Sequence, residues 1–285
     1  MDEQRGHFAP GRRPVCALTI GGSDSGGGAG IQADLKTFAA LGVHGMSVVT
    51  AITAQNSVGV QGIHMVPAGM VALQMDSVLS DIGADAVKTG MLGSAETIAA
   101  VAEKCRQYQI RSLVVDPVMV AASGDPLIED DAVATLIEAL FPLATVVTPN
   151  MPEAEALVGF PVSGLEAMEQ AARAIARMGP RAVVVKGGHL EDQAVDVFYD
   201  GERTCTLASP RVATANAHGT GCTFASALAA ELAKGAPLAV AVRTAKEFVT
   251  IALQGGYSLG AGPGTGNPMA WLRRGGNKVV QNGLD

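Results

Sequence analysis

The chain has no C-x-x-C pair. Its four cysteines, Cys16, Cys105, Cys205 and Cys222, stand apart, and no histidine falls at metal-ligand spacing beside them. A disulfide framework or a zinc site is therefore not expected, and reduced thiols in a cytoplasmic protein fit best. Positive charge is not in excess either: 20 Lys and Arg against 27 Asp and Glu leave a net charge of −7. That balance argues against nucleic acid or an anionic membrane as partner. It leaves room for a phosphorylated substrate, because backbone N–H groups and one or two cations suffice for a phosphate site. No apolar run reaches the length of a membrane span. The polar segment 1–14 carries Arg5, Arg12 and Arg13, and no apolar stretch of signal length follows it, so no secretory signal is expected. The P-loop pattern G-x-x-x-x-G-K-S/T is absent. Acidic residues are missing altogether from Leu35 to Met75.

Apolar residues make up 48% of the 285 residues and charged ones 16%, a balance that supports a sizeable core and excludes disorder. Short apolar runs at 15–20, 47–52, 84–87, 112–115, 144–147 and 181–185 read as strands buried on both faces. Helical spacing separates them: a helix after Gly30 that ends at Gly42, then helices over 71–79, 96–108, 132–140 and 166–178. Repeated β-α-β units of this kind predict an α/β protein with one doubly wound sheet. Asp200-Gly201, between 195–199 and 204–207, marks a hairpin. Two helical stretches follow, roughly 221–234 and 238–254, and then a glycine-rich loop over 255–266. No linker or internal repeat divides the chain, so one domain is expected over 14–272, with 1–13 and 273–285 as loose tails.

Four motifs carry candidate chemistry. In Ala217-His218-Gly219-Thr220-Gly221-Cys222-Thr223, two glycines stand directly before a helix-forming run. Backbone N–H groups there can converge on one point, and the helix dipole adds positive potential, which makes an anion hole. Cys222 at that helix start is expected to have a lowered thiol pKa and to accept a hydroxyl proton. The plainer reading is a glycine turn that starts a core helix, with Cys222 as packing. The second motif follows the first strand and includes Gly22 and Gly28-Ala29-Gly30-Ile31-Gln32-Ala33. It fits the loose dinucleotide fingerprint, but the ribose-binding acid due about 20 residues later falls in the stretch without any Asp or Glu. The loop is better read as bringing backbone close to a small ligand. Asp34 in the next helix is either a ligand contact or a solvated carboxylate.

The third motif pairs Asp116, at the end of the strand Val114-Val115-Asp116-Pro117-Val118-Met119, with Thr148-Pro149-Asn150-Met151-Pro152-Glu153. Strand ends of this kind are where open α/β sheets bind ligands. Asp116, Asn150 and Glu153 could hold a hydrated Mg²⁺. Taken locally, a capping box of Asn150 and Glu153 is the better reading. The fourth is Val185-Lys186-Gly187-Gly188-His189, where Lys186 is either a point charge for a nucleotide phosphate or part of an ordinary turn.

Taken in order, these segments resemble the hydroxymethylpyrimidine/phosphomethylpyrimidine kinases, a branch of the ribokinase-like superfamily. The match runs over 17–259. It also takes in Thr50-Ala51-Ile52-Thr53-Ala54-Gln55-Asn56 and Val87-Lys88-Thr89-Gly90-Met91-Leu92. The resemblance implies a three-layer α/β/α fold around a mostly parallel central sheet, and a homodimer. It implies phosphorylation by Mg²⁺ and ATP of 4-amino-5-hydroxymethyl-2-methylpyrimidine, and then of its monophosphate, in thiamine biosynthesis. By motif, Asp34, Gln55 and the glycine loop with Gly22 would bind the aminopyrimidine, and Met91 and Val118 would line its pocket. Gly219, Thr220 and Gly221 would form the anion hole and Cys222 would be the catalytic base. Sugar kinases of the superfamily mostly place an Asp there, so Cys222 points to the pyrimidine/pyridoxal branch. Asp116, Asn150 and Glu153 would order Mg²⁺ and ATP, with Lys186 on phosphate. The sequence departs from the usual pattern at Ala122, where a Lys is common, and at Ser25-Gly26, Asn216-Ala217 and Asn267-Pro268. Pyridoxal kinase chemistry on the same fold is the nearest alternative, and Gln55 favours the aminopyrimidine because an amide both donates and accepts. A non-catalytic pyrimidine-binding protein is the alternative from another class.

Overall fold

The strand-forming runs are apolar on both faces, so they must be covered on both sides. The computed structural model describes residues 13–119, 127, 132–188 and 193–274. In chain order the elements are β1 (Cys16–Ser23), α1 (Gly30–Ala40), β2 (His44–Asn56), β3 (Gly59–Met65), α2 (Ala68–Asp81), β4 (Ala86–Thr89), α3 (Ala95–Gln107), β5 (Leu113–Val115), α4 (Ala132–Thr135), β6 (Val146–Val147), α5 (Met151–Val158), α6 (Leu165–Ala176), β7 (Val183–Val185), β8 (Gln193–Tyr199), β9 (Thr204–Pro210), α7 (Thr220–Ala233), α8 (Leu238–Gln254) and α9 (Ala270–Arg273).

Among the described residues the nine strands form one sheet in the order β3-β2-β1-β4-β5-β6-β7-β8-β9. The six inner strands from β2 to β7 run parallel, and β3, β8 and β9 are antiparallel additions at the two edges. The chain goes from β1 outward to β2, then returns to lay β4 on the other side of β1. The switch point of the sheet therefore lies between β1 and β4, where doubly wound folds leave a ligand crevice at the strand carboxyl ends.

The period of two sorts the strand residues into two cores. Leu18, Ile20, Val87, Leu113, Val115, Val183 and Val185 face one way, against Val71, Met75, Ile98, Val101, Met168 and Ile175 of α2, α3 and α6. Ala17, Val114, Val146 and Val184 face the other way, against Phe38 of α1, Phe224 and Leu228 of α7, and Val242 and Phe248 of α8. The result is the expected three-layer α/β/α arrangement.

Several boundaries differ from the sequence reading. The second strand is 13 residues long, because its distal half pairs with β3 as an antiparallel ribbon. β3 itself had no readable alternation: Gln61, Gly62, Ile63, His64 and Met65 are all exposed. The helix expected over 132–140 is α-helical only to Thr135, then winds as a π turn over Leu136–Leu140 and a 3-10 turn over Phe141–Leu143. Pro142, which has no N–H to donate, sits at the start of that last turn. Both domain ends reach beyond the expected limits. Arg13 Nη1 lies 3.0 Å from Asp85 Oδ1, and Arg274, next to Arg273 of α9, stacks over Trp271 at 4.4 Å and lies 3.0 Å from Glu247 Oε1. Ala122 and His189 lie outside the described residues.

Candidate active site

The crevice over the β1/β4 switch point is assembled loop by loop. β1 ends at Ser23, and the carboxylate of Asp24 folds the next residues around itself. Its oxygens accept from the backbone N–H of Gly26 at 2.8 Å, Gly28 at 3.0 Å and Ala29 at 2.8 Å, and His218 Nε2 lies 3.0 Å away. Burial works against this carboxylate, but His218 and the backbone donors hold it below the usual range. The loop closes on α1 through Gly30, whose φ is +57° and where a Cβ would collide with the Gly22 carbonyl oxygen, so only glycine fits.

The first turn of α1 then carries Asp34 back under the loop. Asp34 is not the solvated helix carboxylate that was the alternative: it is 0% exposed. Thr19 Oγ1 donates to its Oδ2 at 2.6 Å and Lys88 Nζ to the same oxygen at 2.8 Å. Its Oδ1 has no hydrogen-bond partner among the described residues. Burial lifts Asp34 above the ordinary carboxylate range, with Lys88 and Thr19 pulling it back. Burial also opposes the charge on Lys88, but Asp34, Cys222 and Asp116 outweigh it, and Lys88 stands above the usual lysine range. With both donors on one oxygen, the charged pair is the state this geometry fits.

The opposite wall comes from the later strands. Asp116, just beyond β5, accepts on Oδ1 from Thr148 at 2.9 Å and from Lys186 Nζ at 2.8 Å. Its burial is outweighed by Lys186 and Lys88, which keep it ionised below the usual range. Lys186 is held charged in turn, burial being offset by Asp116 and Glu153. Asn150 and Glu153 form the full capping box of α5: Asn150 Oδ1 accepts from Glu153 N at 2.8 Å, and Glu153 Oε2 from Asn150 N at 2.8 Å. They still face the crevice, and burial pushes the Glu153 carboxyl up to about 7.

Between the two walls lies the start of α7. Gly219 is its N-cap with φ +78°, and a Cβ there would collide with the Gly28 carbonyl oxygen, so the anion loop rests directly on the glycine loop. A Cβ on Gly221 would stand 3.2 Å from Lys186 Nζ. The helix has no side-chain cap; the Thr220 N–H donates to the Ala217 carbonyl oxygen at 3.3 Å, and the N–H groups of Gly221 and Cys222 follow it in the first turn, where an anion can be met. All thirteen residues singled out from the sequence (Gly22, Asp34, Gln55, Met91, Asp116, Val118, Asn150, Glu153, Lys186, Gly219, Thr220, Gly221 and Cys222) line one cavity of about 760 Å³.

One expectation is reversed. The position of Cys222 at a helix start does not lower its thiol: burial pushes it up to about 11, against opposing pulls from Lys88 and from the Gly30 N–H. Desolvation by the surrounding protein exceeds the dipole of one helix end. Residues that carried no role in the sequence reading also line the cavity: Lys88, Asp24 and His218, and the buried pair Asp196 and Lys246, 2.8 Å apart. A lysine inside an otherwise apolar strand was the available signal for Lys88.

The donor set suits a hard, strongly hydrated cation better than a closed protein cage. Asp116 and Glu153 are two carboxylates of the lining that both act on Lys186, and among the described residues no group of three or more His, Cys, Asp or Glu could hold a metal ion. Mg²⁺ takes one or two carboxylates and fills its remaining positions with water and phosphate oxygens.

Residues 24–267 match the family model described as phosphomethylpyrimidine kinase. The hydroxymethylpyrimidine/phosphomethylpyrimidine kinase of Rhizobium meliloti is 56% identical over 252 residues, 88% of this chain and 94% of that protein. The thiamine biosynthesis bifunctional protein ThiED of Geobacter sulfurreducens is also 56% identical, over 251 residues, and there the chain spans 51% of the relative's length. In three dimensions, pyridoxal kinase of Bacillus subtilis, solved as an ADP complex, superposes with a TM-score of 0.84 at 40% identity, covering 90% of this chain and 98% of that one. The fold shared with such kinases is the ribokinase-like one.

Proposed function

Since the chain belongs to the phosphomethylpyrimidine kinase family, we propose that it transfers the γ-phosphoryl group of ATP to the hydroxymethyl oxygen of 4-amino-5-hydroxymethyl-2-methylpyrimidine, and then to the monophosphate to form the pyrophosphate, in thiamine biosynthesis. The observation that carries this reading is one cavity lined by two chemically different sets of groups. Met91, Val118 and Gln55, with the carboxylate of Asp34, suit an aminopyrimidine ring. Lys186, Asp116 and the N-terminus of α7 suit ATP.

Transfer is in line, across the 219–222 loop. The backbone N–H groups of Gly219 and Gly221 meet the charge on the moving phosphoryl group, with the Thr220 N–H between them shared with the Ala217 carbonyl oxygen. Lys186 meets phosphate as a point charge that Asp116 holds in place. Asp116 and Glu153, with Asn150 beside them, would hold Mg²⁺ through water, and its charge would offset that of the phosphates. Cys222 takes the proton of the substrate hydroxyl, and with a thiol near 11 it does so from a small thiolate population.

We assign the working form as a homodimer built on the β2–β3 ribbon. β3 is an edge strand; Ile63 and Met65 stand exposed on one face of the ribbon, Ile52 on the other and Val58 in its turn, and Met70 and Leu73 of α2 are exposed as well. Exposed apolar side chains on an open sheet edge favour a cover, and a second copy of the chain offers the same edge. Among the described residues no helix is long and apolar enough to cross a membrane. Four free cysteines fit a reducing cytoplasmic setting. The net charge of −7 fits a small-molecule partner rather than nucleic acid.

The test is ADP release with Mg²⁺ and ATP, presenting hydroxymethylpyrimidine, its monophosphate and pyridoxal in parallel. Turnover of the first two with weak pyridoxal activity is expected. Strong activity on pyridoxal alone would replace this reading with a pyridoxal kinase on the same fold.

A further inference from the structure

Lys88 is a buried cation that the proposed chemistry leaves without a task. It stands on β4 at the switch point, paired in register with Thr19 of β1, and its side chain is 1% exposed. It interacts with two carboxylates, Asp34 on α1 and Asp116 beyond β5, and with the thiol of Cys222 on α7. A lysine with no structural need would not be expected in the middle strand of a parallel sheet, since isolated burial of a charge is costly. The hydrogen bonding is asymmetric. Both Lys88 and Thr19 bind Oδ2 of Asp34, and Oδ1 has no partner among the described residues although it is fully buried and Asp34 lines the cavity. An unpaired buried carboxylate oxygen is costly until a donor reaches it.

We propose that Lys88 is the positioning residue that sets substrate recognition. By claiming Oδ2 it keeps Asp34 ionised and fixed, and so presents Oδ1 as a bare acceptor for the N–H-bearing edge of the ring substrate. This rests on the aminopyrimidine reading and deepens it: selectivity for an amino-substituted ring is assigned to a residue that does not itself touch the ring. Without Lys88, the buried carboxyl of Asp34 faces only Thr19 and the repulsive charge of Asp116, so it takes up a proton. A protonated Asp34 no longer offers two accepting oxygens, and its preference for an N–H donor falls.

The experiment is calorimetric titration, without nucleotide, of 4-amino-5-hydroxymethyl-2-methylpyrimidine and of its analogue lacking the amino group. Wild type, Lys88→Arg and Lys88→Met are compared between pH 7 and pH 9. The expected result for Lys88→Met is a Kd for the amino compound raised about 10- to 100-fold, the range of a charge-assisted hydrogen bond. Affinity for the analogue should change less than about threefold, and Lys88→Arg should recover most of the loss. In Lys88→Met the affinity for the amino compound should climb as pH rises and Asp34 ionises, while wild type stays flat. Equal losses for both compounds, or a flat pH profile in Lys88→Met, would overturn the proposal, because a purely structural lysine predicts those outcomes. Should Lys88→Met fail to fold, Thr19→Val removes the other donor to Oδ2 and must show the same selective loss in smaller measure. Lack of selectivity in that variant overturns the proposal as well. Failure of the kinase reading would appear separately, as a wild type that releases no ADP with hydroxymethylpyrimidine.

Discussion

The thiol of Cys222 makes the pH dependence of the chemical step a quantitative prediction. With a pKa of about 11, the thiolate fraction at pH 7 is on the order of 10⁻⁴, and it rises about tenfold for each pH unit until the thiol titrates. If thiolate accepts the hydroxyl proton, the transfer rate should climb about 100-fold from pH 7 to pH 9. The measurement is single-turnover transfer from ATP to hydroxymethylpyrimidine with excess enzyme and quenched product, so that product release does not mask chemistry. Cys222→Ala should lose the slope and fall about 10²- to 10⁴-fold below wild type at pH 9, the range of general-base catalysis. Cys222→Asp should turn the profile flat above pH 7, because a carboxylate beside Lys88 is already ionised there. A wild-type rate that is flat over this range, with Cys222→Ala within about threefold of it, would refute the base role. Catalysis would then rest on the loop N–H groups and positioning alone, which a loose phosphoryl-transfer transition state allows.

Other perturbations test other parts of the cavity. Gly219→Ala places a Cβ against the Gly28 carbonyl at φ +78°; it should lower kcat at least about 10²-fold by moving the anion loop and cost about 1–2 kcal/mol in thermal unfolding. A variant with wild-type kcat would show that the loop donors are not used. Asp116→Asn leaves Lys186 without its carboxylate. It should lower kcat/KM for ATP by at least about 10-fold and shift activation to higher Mg²⁺ concentrations, with a lower Tm in calorimetry as a broken buried pair requires. Unchanged Mg²⁺ dependence would remove Asp116 from the metal end. Ile63→Lys, on the exposed face of β3, should convert the dimer to a monomer in light scattering at micromolar concentration; a wild type that is already monomeric would refute the ribbon interface.

The sequence showed the central strands and the site loops because each carries its signal locally. A strand such as Val183–Val185 is buried on both sides, so its apolar run needs no partner to be recognised. The glycines at 28, 30 and 219 are legible because each stands where a Cβ would collide: with the His218 ring at 28, with the Gly22 carbonyl at 30 and with the Gly28 carbonyl at 219. β3 was not legible, because an exposed ribbon has no buried face to impose a period of two. The capping box of Asn150 and Glu153 was read as an alternative to a ligand role, yet in three dimensions the same residues cap α5 and face the cavity. The thiol of Cys222 was misjudged because helix position is visible in sequence, whereas burial in the folded chain is not.

The feature farthest from view in the sequence is the balance of charge beneath the anion loop. Asp34 with Lys88 and Asp116 with Lys186 form two close pairs whose acids lie 82 residues apart in the chain. Each pair pins an acid beside a base in the cavity lining, so that the point charge of Lys186 is held in place next to the N–H groups at the start of α7. A single lysine in their place would bind ATP more tightly in the ground state and gain nothing in rate, since uniform binding lowers KM without raising kcat. Neutralised pairs below fixed backbone donors favour the moment when charge on the phosphoryl oxygens is redistributed. In stability, as distinct from activity, removal of one member of a pair is expected to cost more than replacement of both by apolar residues of the same size.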